Sequence, residues 1–532
     1  MLCGRQKWPS ATGIRGQTMT NRLRLIAHVI IFSVLASCAS VDFDYPKEDT
    51  RAFTDTDDTH FGKISSELLA KHPSDESGFY PMNDAIDALA TRLLMAQQAE
   101  RSIDAQYYLL KPDVVGNVFL EVLLRAADRG VRVRLLLDDI LTKGYDAGML
   151  ALDSHPNFEI RIFNPFANRS ARGLGFVTDF SRVNRRMHNK SFTVDNRVTI
   201  IGGRNIAAEY FGAREDAKFG DLDVLGAGPV VQDVSNMFDD YWNHSAAAPL
   251  QAFAKMTEDP EGDLVALRER LIESREAISD TAYAEAVRRQ VGHYLDPTTE
   301  VLMWAPYTLA VDSPDKSNKK LAKDAKSITT ALKQSILTAQ KEVLIISPYF
   351  VPRKSGVEVF TTLQKSGVDI TIVTNSLAAN NQKTVHGGYA PSRKPLLEAG
   401  VKIYEVRPDA GVSGSEYVAG KAARATLHTK AFMVDRHDVF IGSFNFDPRS
   451  AQINTELGVI IHSSAFAENM MSGMDQKIKD NAYEVFLNEK GKLRWREYNG
   501  DEITIHDKEP NTSWWNRFVA GFYRIMPIDS QL

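Results

Sequence analysis

Hydrophobic positions along the chain follow two interleaved periods. Apolar residues recur every three or four positions over 86–98 and 117–128, which predicts two helices, the second stopped at Gly130. The runs 102–110, 131–137, 158–163 and 198–201 are short, apolar and bounded by turn residues, which predicts strands. A further strand over 187–194 ends in a turn at Asp195-Asn196. The order then returns. Helical patterns over 327–340 and 357–365, the latter stopped at Gly367, alternate with strand patterns over 343–349, 368–374, 401–406 and 427–434, and a last hairpin closes at Phe440-Ile441. Tyr107 precedes His188 by 81 residues and Tyr349 precedes His428 by 79. A repeat of this length predicts duplication: an α/β protein of two lobes, 81–245 and 326–490, each a mixed β-sheet flanked by crossover helices. Residues 246–325, helical in composition over 258–292, would connect the lobes, and 491–532 would form a tail.

Within the repeat a polar phrase is spoken twice. His188, Lys190 and Asp195 are followed by Gly202-Gly203-Arg204-Asn205; His428, Lys430 and Asp435 are followed by Gly442-Ser443-Phe444-Asn445, with identical spacing throughout. A single His-x-Lys on a strand is ordinarily a surface pair, and an Asp at a turn is ordinarily a turn residue. Two copies at matched spacing need another explanation, and His188, Lys190, Asp195, His428, Lys430 and Asp435 are expected to be the catalytic residues. Residues two apart on a strand share a face, so each His would lie beside its Lys. An ammonium next to an imidazole repels a metal cation and suits an anion, so neither a metal nor a cofactor is expected. Lysine supplies fixed charge, histidine a nucleophilic or proton-transferring nitrogen, and Asn205, Asn445 and Ser443 supply neutral donors. If the lobes meet with His188 facing His428 across a phosphodiester, one imidazole can attack phosphorus while the other protonates the leaving alcohol. His188 is the working choice for the attacking residue, although the near-symmetry of the motifs leaves the order open. Each His should be oriented by a carboxylate; Glu456, 11 residues after Asn445, and Asp221, 16 after Asn205, are the candidates, with Asp223 as the alternative to Asp221.

Composition narrows the partners. The chain has 532 residues and a net charge of −5, so it has no global cationic field to hold nucleic acid, and none is expected as a partner. Cys3 and Cys38 are the only cysteines, which excludes a disulfide framework in the body.

The paired motifs resemble those of the phospholipase D superfamily, and the run 102–108, the run 130–139, the run 395–401, the run 442–450 and Asn454-Thr455-Glu456 are most similar to bacterial cardiolipin synthases of the C type. The resemblance implies two lobes sharing one active site at their interface, a phosphohistidine intermediate, and metal-independent transfer of a phosphatidyl group. It further implies phosphatidylglycerol as acceptor and an anionic or zwitterionic phospholipid, such as phosphatidylethanolamine, as donor. A hydrolytic phospholipase D, a nuclease of the same superfamily and a non-enzymatic phospholipid-binding lipoprotein are the alternatives. Gly203 departs from the pattern, since Ser is common there.

The two ends carry membrane signals. Residues 21–24 are basic, 25–36 are apolar, and Leu35-Ala36-Ser37-Cys38 resembles a bacterial lipobox. The apolar run is too short to span a bilayer, so residues 1–38 read as a cleaved signal, starting at Met19, that leaves Cys38 lipidated and the protein anchored in the cell envelope. The acid-rich stretch that follows, within 39–80, would be a tether. Lys316, Lys319, Lys320, Lys323 and Lys326 would share one face if helical, either solvated or facing anionic lipid. At the C-terminus Trp514, Trp515, Phe518, Val519, Phe522, Tyr523, Ile525 and Met526 cluster with Arg517 and Arg524. Such a helix either lies in a membrane interface or packs its aromatic face onto the domain.

Overall fold

The computed structural model describes residues 41–169, 172–294, 302–412 and 423–523. The expected signal and Cys38 lie outside these residues, as do Arg524, Ile525 and Met526.

Two mixed sheets form the two lobes. In the first, strands run in the order Met303–Ala305, Ser77–Met82, Asp223–Ala227, Val198–Gly202, Ser191–Val194, Ser102–Tyr107, Arg132–Asp138, Phe158–Phe163 and Ala247–Pro249. In the second they run Tyr307–Val311, Leu457–His462, Asp438–Gly442, Ala431–Val434, Glu342–Ile346, Asp369–Asn375, Lys402–Val406, Ala482–Leu487, Leu493–Asn499 and Glu502–His506. From the strand before Asp223–Ala227 or Leu457–His462 onward the two orders match, including a central parallel pair of junctions and antiparallel edges. The parallel steps need crossover helices, Val114–Asp128 in one lobe and Arg353–Lys365 in the other, each followed by a glycine at positive φ, Gly130 and Gly367. Central strands such as Arg132–Asp138 are buried almost throughout, as parallel strands covered on both faces must be. A single residue, Pro306, separates the last strand of the first sheet from the edge strand of the second.

Each sheet has its own helix-facing core, and a third apolar cluster joins the sheets, with Ile201 and Val224 from the first lobe against Met433, Ile441, Leu457 and Val459 from the second. The duplication is therefore closed face to face, and the lobes share a buried surface. Helices Pro260–Glu276 and Ala282–Tyr294 cover the first lobe's helical layer, so the connector is a lid on one lobe; its flanks, Ala247–Pro249 and Met303–Ala305, are sheet strands.

Four sequence expectations are corrected here. The stretch 42–58, read as a tether, lies against the first lobe, where Arg134 and Arg161 donate to the carbonyls of Thr50 and Glu48 and Lys47 donates to those of His244 and Ala247. The five lysines do not share a helical face: 318–325 forms turns, and Lys316 is buried, paired at 2.8 Å with Asp312 and donating to Ser450 O. Tyr107 and Tyr349 are not equivalent. The ladders align Ile103 with Val343, through Val194 and Val434, so Tyr107 corresponds to Ser347 and Tyr349 to Leu109.

Asp195 and Asp435 are the fourth case. Each opens the three-residue turn that closes its hairpin, at φ 51° and 53°, followed by Asn196 and Arg436 also at positive φ. The Asp195 carboxylate accepts from the backbone N–H groups of Glu100, Arg101 and Ser102; that of Asp435 accepts from Gln340, Lys341 and Glu342. Seven residues of extended chain place each carboxylate roughly 20 Å from its histidine. They clamp the hairpin to the strand beside it and take no part in the chemistry. Replacing Asp195 with Ala should lower the unfolding free energy by about 2–3 kcal/mol, measured by urea denaturation, because a buried N–H loses its acceptor. Asp435→Ala should cost less, since water reaches that more open turn; equal costs would contradict this account.

Candidate active site

The sequence places His188 and His428 in equivalent positions, three residues ahead of strands Ser191–Val194 and Ala431–Val434. They lie in extended lead-ins rather than on the strands themselves. What holds each lead-in comes from the other lobe. The His188 N–H donates to Thr455 O at 2.9 Å, and Thr455 N–H returns a bond to Arg186 O at 3.0 Å. The His428 N–H donates to Gly220 O at 2.7 Å, next to a parallel ladder between Ala217–Gly220 of the first lobe and Arg424–Leu427 of the second.

The rings are crossed in the same way. His188 Nδ1 lies 2.8 Å from Glu456 Oε2, and His428 Nδ1 lies 2.5 Å from Asp221 Oδ2. Each carboxylate belongs to the residue immediately after the carbonyl that takes the histidine's backbone N–H. Both candidate carboxylates are thus in place, each serving the opposite lobe's imidazole. Asp223, the alternative, instead binds Arg92 and Arg204 in the interior.

The supports of the two carboxylates differ. Glu456 is wholly buried; Ser443 Oγ donates to Oε2, Ser450 Oγ donates to Oε1 at 2.8 Å, and its own N–H donates to Asp312. Ser443, expected to bind phosphate, therefore holds the carboxylate. In the first lobe no such hydroxyl exists, because a Cβ at Gly203 would stand 2.1 Å from Asp221 Oδ1. The shorter carboxylate lies where the second lobe has its serine. Gly203 is a glycine because Asp221 occupies the space.

Charge sets the protonation states. Burial pushes both imidazoles down to about 4, and Lys190 and Lys430 add to the depression. Burial also lowers Lys190 to about 7 and Lys430 to about 8. Burial would raise Asp221 and Glu456, but their His and Lys neighbours outweigh it and hold both below the usual carboxylate range. Each lysine acts on the far histidine as well as its own, so the two triplets form one electrostatic site. Two ammonium groups and two carboxylates sum to zero around two neutral imidazoles. Lys190 Nζ donates to His188 O at 2.5 Å, and Lys430 Nζ donates to His428 O while also lying 2.7 Å from His428 Nδ1. An ammonium and a carboxylate cannot both be satisfied by Nδ1. A proton on Nδ1 serves the ionised Asp221 and leaves Nε2 as the basic nitrogen, which is the tautomer a general base requires.

Asn205 and Asn445 occupy equivalent positions, three residues after strands Val198–Gly202 and Asp438–Gly442. Asn205 Nδ2 donates to Tyr210 Oη at 2.9 Å, and the amide oxygens of both asparagines are buried without a partner among the described residues. Either amide can turn to present its N–H to a phosphoryl oxygen. Sequence reasoning missed the aromatic walls. Tyr108 stands edge-on to His188 at 4.9 Å, Tyr210 edge-on to His428 at 5.0 Å, and Phe219 stacks on His428 at 5.6 Å. Tyr108 lies within the predicted strand 102–110 and one residue past the observed Ser102–Tyr107. The three-residue group with metal-ligand spacing, His437, Asp438 and His462, lies beside the Asp435 turn at the other end of the hairpin.

Residues 93–242 and 332–478 match the family model described as cardiolipin synthase, PLD-like domain. The chain is 41% identical over 469 residues to cardiolipin synthase C of Escherichia coli, covering 87% of this chain and 97% of that one. It is 30% identical over 478 residues to an uncharacterized protein of Helicobacter pylori, covering 88% and 92%. Among solved structures, phosphatidylserine synthase of Haemophilus influenzae shares the fold, with a TM-score of 0.51 at 14% identity over 79% of this chain and 91% of that one.

The asymmetry at Gly203 can be tested. Gly203→Ser should displace Asp221 and lower turnover of a p-nitrophenyl phosphodiester at least about tenfold, since a misoriented imidazole loses general acid–base catalysis. Adding Asp221→Glu, which copies the Ser443–Glu456 pair, should recover part of the loss; a double variant no better than Gly203→Ser would refute the exchange.

Proposed function

The chain belongs to the phospholipase D-like cardiolipin synthase family, and on that premise we propose that it makes cardiolipin by transferring a phosphatidyl group through a phosphohistidine. The observation that carries the reading is the crossed pair, each imidazole held through Nδ1 by the other lobe's carboxylate. This leaves two Nε2 atoms as the reactive nitrogens of one site. His188 Nε2 attacks the phosphorus of a donor phospholipid, forming an N–P bond as the bond to the leaving headgroup oxygen breaks. His428, protonated, gives its Nε2 proton to that oxygen. The terminal hydroxyl of phosphatidylglycerol then attacks phosphorus, His428 takes its proton, and the N–P bond breaks. Lys190, Lys430, Asn205 and Asn445 stabilise the charge on the non-bridging oxygens. Phosphatidylglycerol or phosphatidylethanolamine serves as donor. With Cys38 as a lipidated first residue, the enzyme would act on a membrane face of the bacterial envelope.

The resting site is neutral with both imidazoles deprotonated, so a bound phosphodiester monoanion leaves it one charge short. One histidine meets that deficit by taking up a proton, which arms the general acid as substrate binds. Calorimetry of binding near pH 6, where Lys190 already holds its proton and the imidazoles do not, in buffers of different ionisation enthalpy should therefore show uptake of about one proton. The acid limb of kcat/KM should fall well below pH 6.5, because the free imidazoles stay neutral down to about pH 4. An acid limb at 6.5 with no proton uptake would contradict the scheme.

Purified enzyme given labelled phosphatidylglycerol, with and without phosphatidylethanolamine, should yield labelled cardiolipin, and EDTA should leave the rate unchanged. Phosphatidic acid as sole product would indicate hydrolysis instead. His188→Ala should abolish turnover of every substrate. His428→Ala should abolish lipid turnover but still release p-nitrophenol in a single turnover, since that leaving group needs no proton. The reverse pattern would exchange the two roles.

A further inference from the structure

The C-terminal helix Trp514–Tyr523 is held to the second lobe by its polar face. Glu509, just ahead of it, accepts from His386 Nε2 at 3.1 Å and Arg393 Nη2 at 2.7 Å, both on helix Lys383–Glu398. Within the helix, Asn516 Oδ1 accepts from Lys383 Nζ at 2.9 Å, and Ala520 is buried. At 100° per residue, 516 and 520 lie on one side, while 514, 515, 518 and 522 fall within a 100° arc on the other. That opposite arc is bare. Trp514 is 68% exposed, Trp515 58%, Phe518 51% and Phe522 52%, and both indoles stack on Phe518 to form an apolar ridge. The helix therefore does not pack its aromatic face onto the domain.

The helix is joined to the active site through one segment of the second lobe. Lys383, which holds Asn516, is two residues from Asn381, whose Oδ1 accepts from Tyr349 Oη at 2.8 Å. Tyr349 interacts electrostatically with Tyr108, the ring that stands against His188. From the other side, Arg424 Nη2 donates to Asn380 O and Asn375 Oδ1 accepts from the N–H of Leu427, the residue before His428. One short segment, 375–383, thus touches the site at one end and carries the aromatic helix at the other. Arg517, 60° from Trp514 around the helix, adds a cation at the edge of the ridge, and Lys383 adds one on the polar side.

We infer that this helix is a membrane-docking device that seats the mouth of the active site on a phospholipid bilayer. Indole and phenyl rings flanked by cations partition into the headgroup boundary, and the cations favour an anionic leaflet. Its ten described residues span about 15 Å, and an apolar arc opposite a face bonded to the protein suits a helix lying in the bilayer plane. The inference rests on the phospholipid reading above and extends it, since an enzyme whose substrates do not leave the membrane needs its mouth held at the surface.

The test uses the full chain carrying Cys38→Ser, which removes any lipid anchor at that position. It is floated with vesicles of phosphatidylethanolamine and phosphatidylglycerol, alongside a further variant with Trp514, Trp515, Phe518 and Phe522 replaced by Ala. Binding should weaken at least about tenfold in the variant, and tryptophan fluorescence of the parent should shift to the blue on adding vesicles. Turnover of short-chain, water-soluble phosphatidylglycerol and the thermal midpoint should stay unchanged. Equal vesicle binding by the two proteins would overturn the inference, as would a parent dimer that the substitutions dissolve without affecting vesicle binding. If vesicle binding is lost as expected but no lipid is turned over by either protein, the docking helix stands and the cardiolipin reading fails.

Discussion

The structure depends on one reciprocal exchange: each lobe lends its carboxylate to the histidine of the other. The exchange is double, since the same short segments also trade backbone hydrogen bonds, His188 with Thr455 and His428 with Gly220. A separated lobe would keep a buried carboxylate with no imidazole and a histidine with no orienting acceptor. Leaving a buried charge unpaired costs several kcal/mol. The apolar cluster between the sheets then locks a geometry that the polar groups specify, which divides the labour between burial and hydrogen bonding. Burial supplies the energy of association, and the crossed bonds determine the register in which the lobes meet.

Low solvation also explains why the site is built of paired opposite charges. Lysines and histidines this deep lose charge readily, and the carboxylates keep theirs only because those cations and imidazoles surround them. The result is a site whose stable empty form is neutral. A phosphodiester brings in the one charge that the arrangement lacks, so recognition and protonation are a single event. Preorganisation of this kind spares the reaction the cost of arranging dipoles while phosphorus changes partners.

Much of this was legible in the chain. The helical and β periods located nearly every element of both lobes within a few residues, because each sheet has one helix-covered face and its patterns are strong. His188, Lys190, His428 and Lys430 stood out through repetition, and Glu456 and Asp221 through the parallel phrases Glu-Leu-Gly-Val and Asp-Leu-Asp-Val that they open. The crossing of the carboxylates was not legible, since spacing along a chain says nothing of which lobe a side chain faces. Ser443 and Gly203 were read by chemical type, as a donor and a gap, whereas the deciding fact was the volume of the neighbouring acid. Tyr107 and Tyr349 looked equivalent because they are the same residue, and only strand register shows that they are not. The tether and the lysine run failed for a common reason: composition reports average solubility, and Lys316 and Lys47 each found specific buried acceptors.

The aspartate of each motif supports a different kind of conclusion. Asp195 and Asp435 belong to the recurring signature, yet they fasten a hairpin to its neighbour at the far end from the reaction. The signature is therefore a composite of chemistry and carpentry. A copy that had lost its imidazole could retain the aspartate indefinitely, because the hairpin would still need it, and such a copy would fold as a scaffold without catalysis. Partial matches to the motif should be sorted on the histidine, since the aspartate testifies only to the joint.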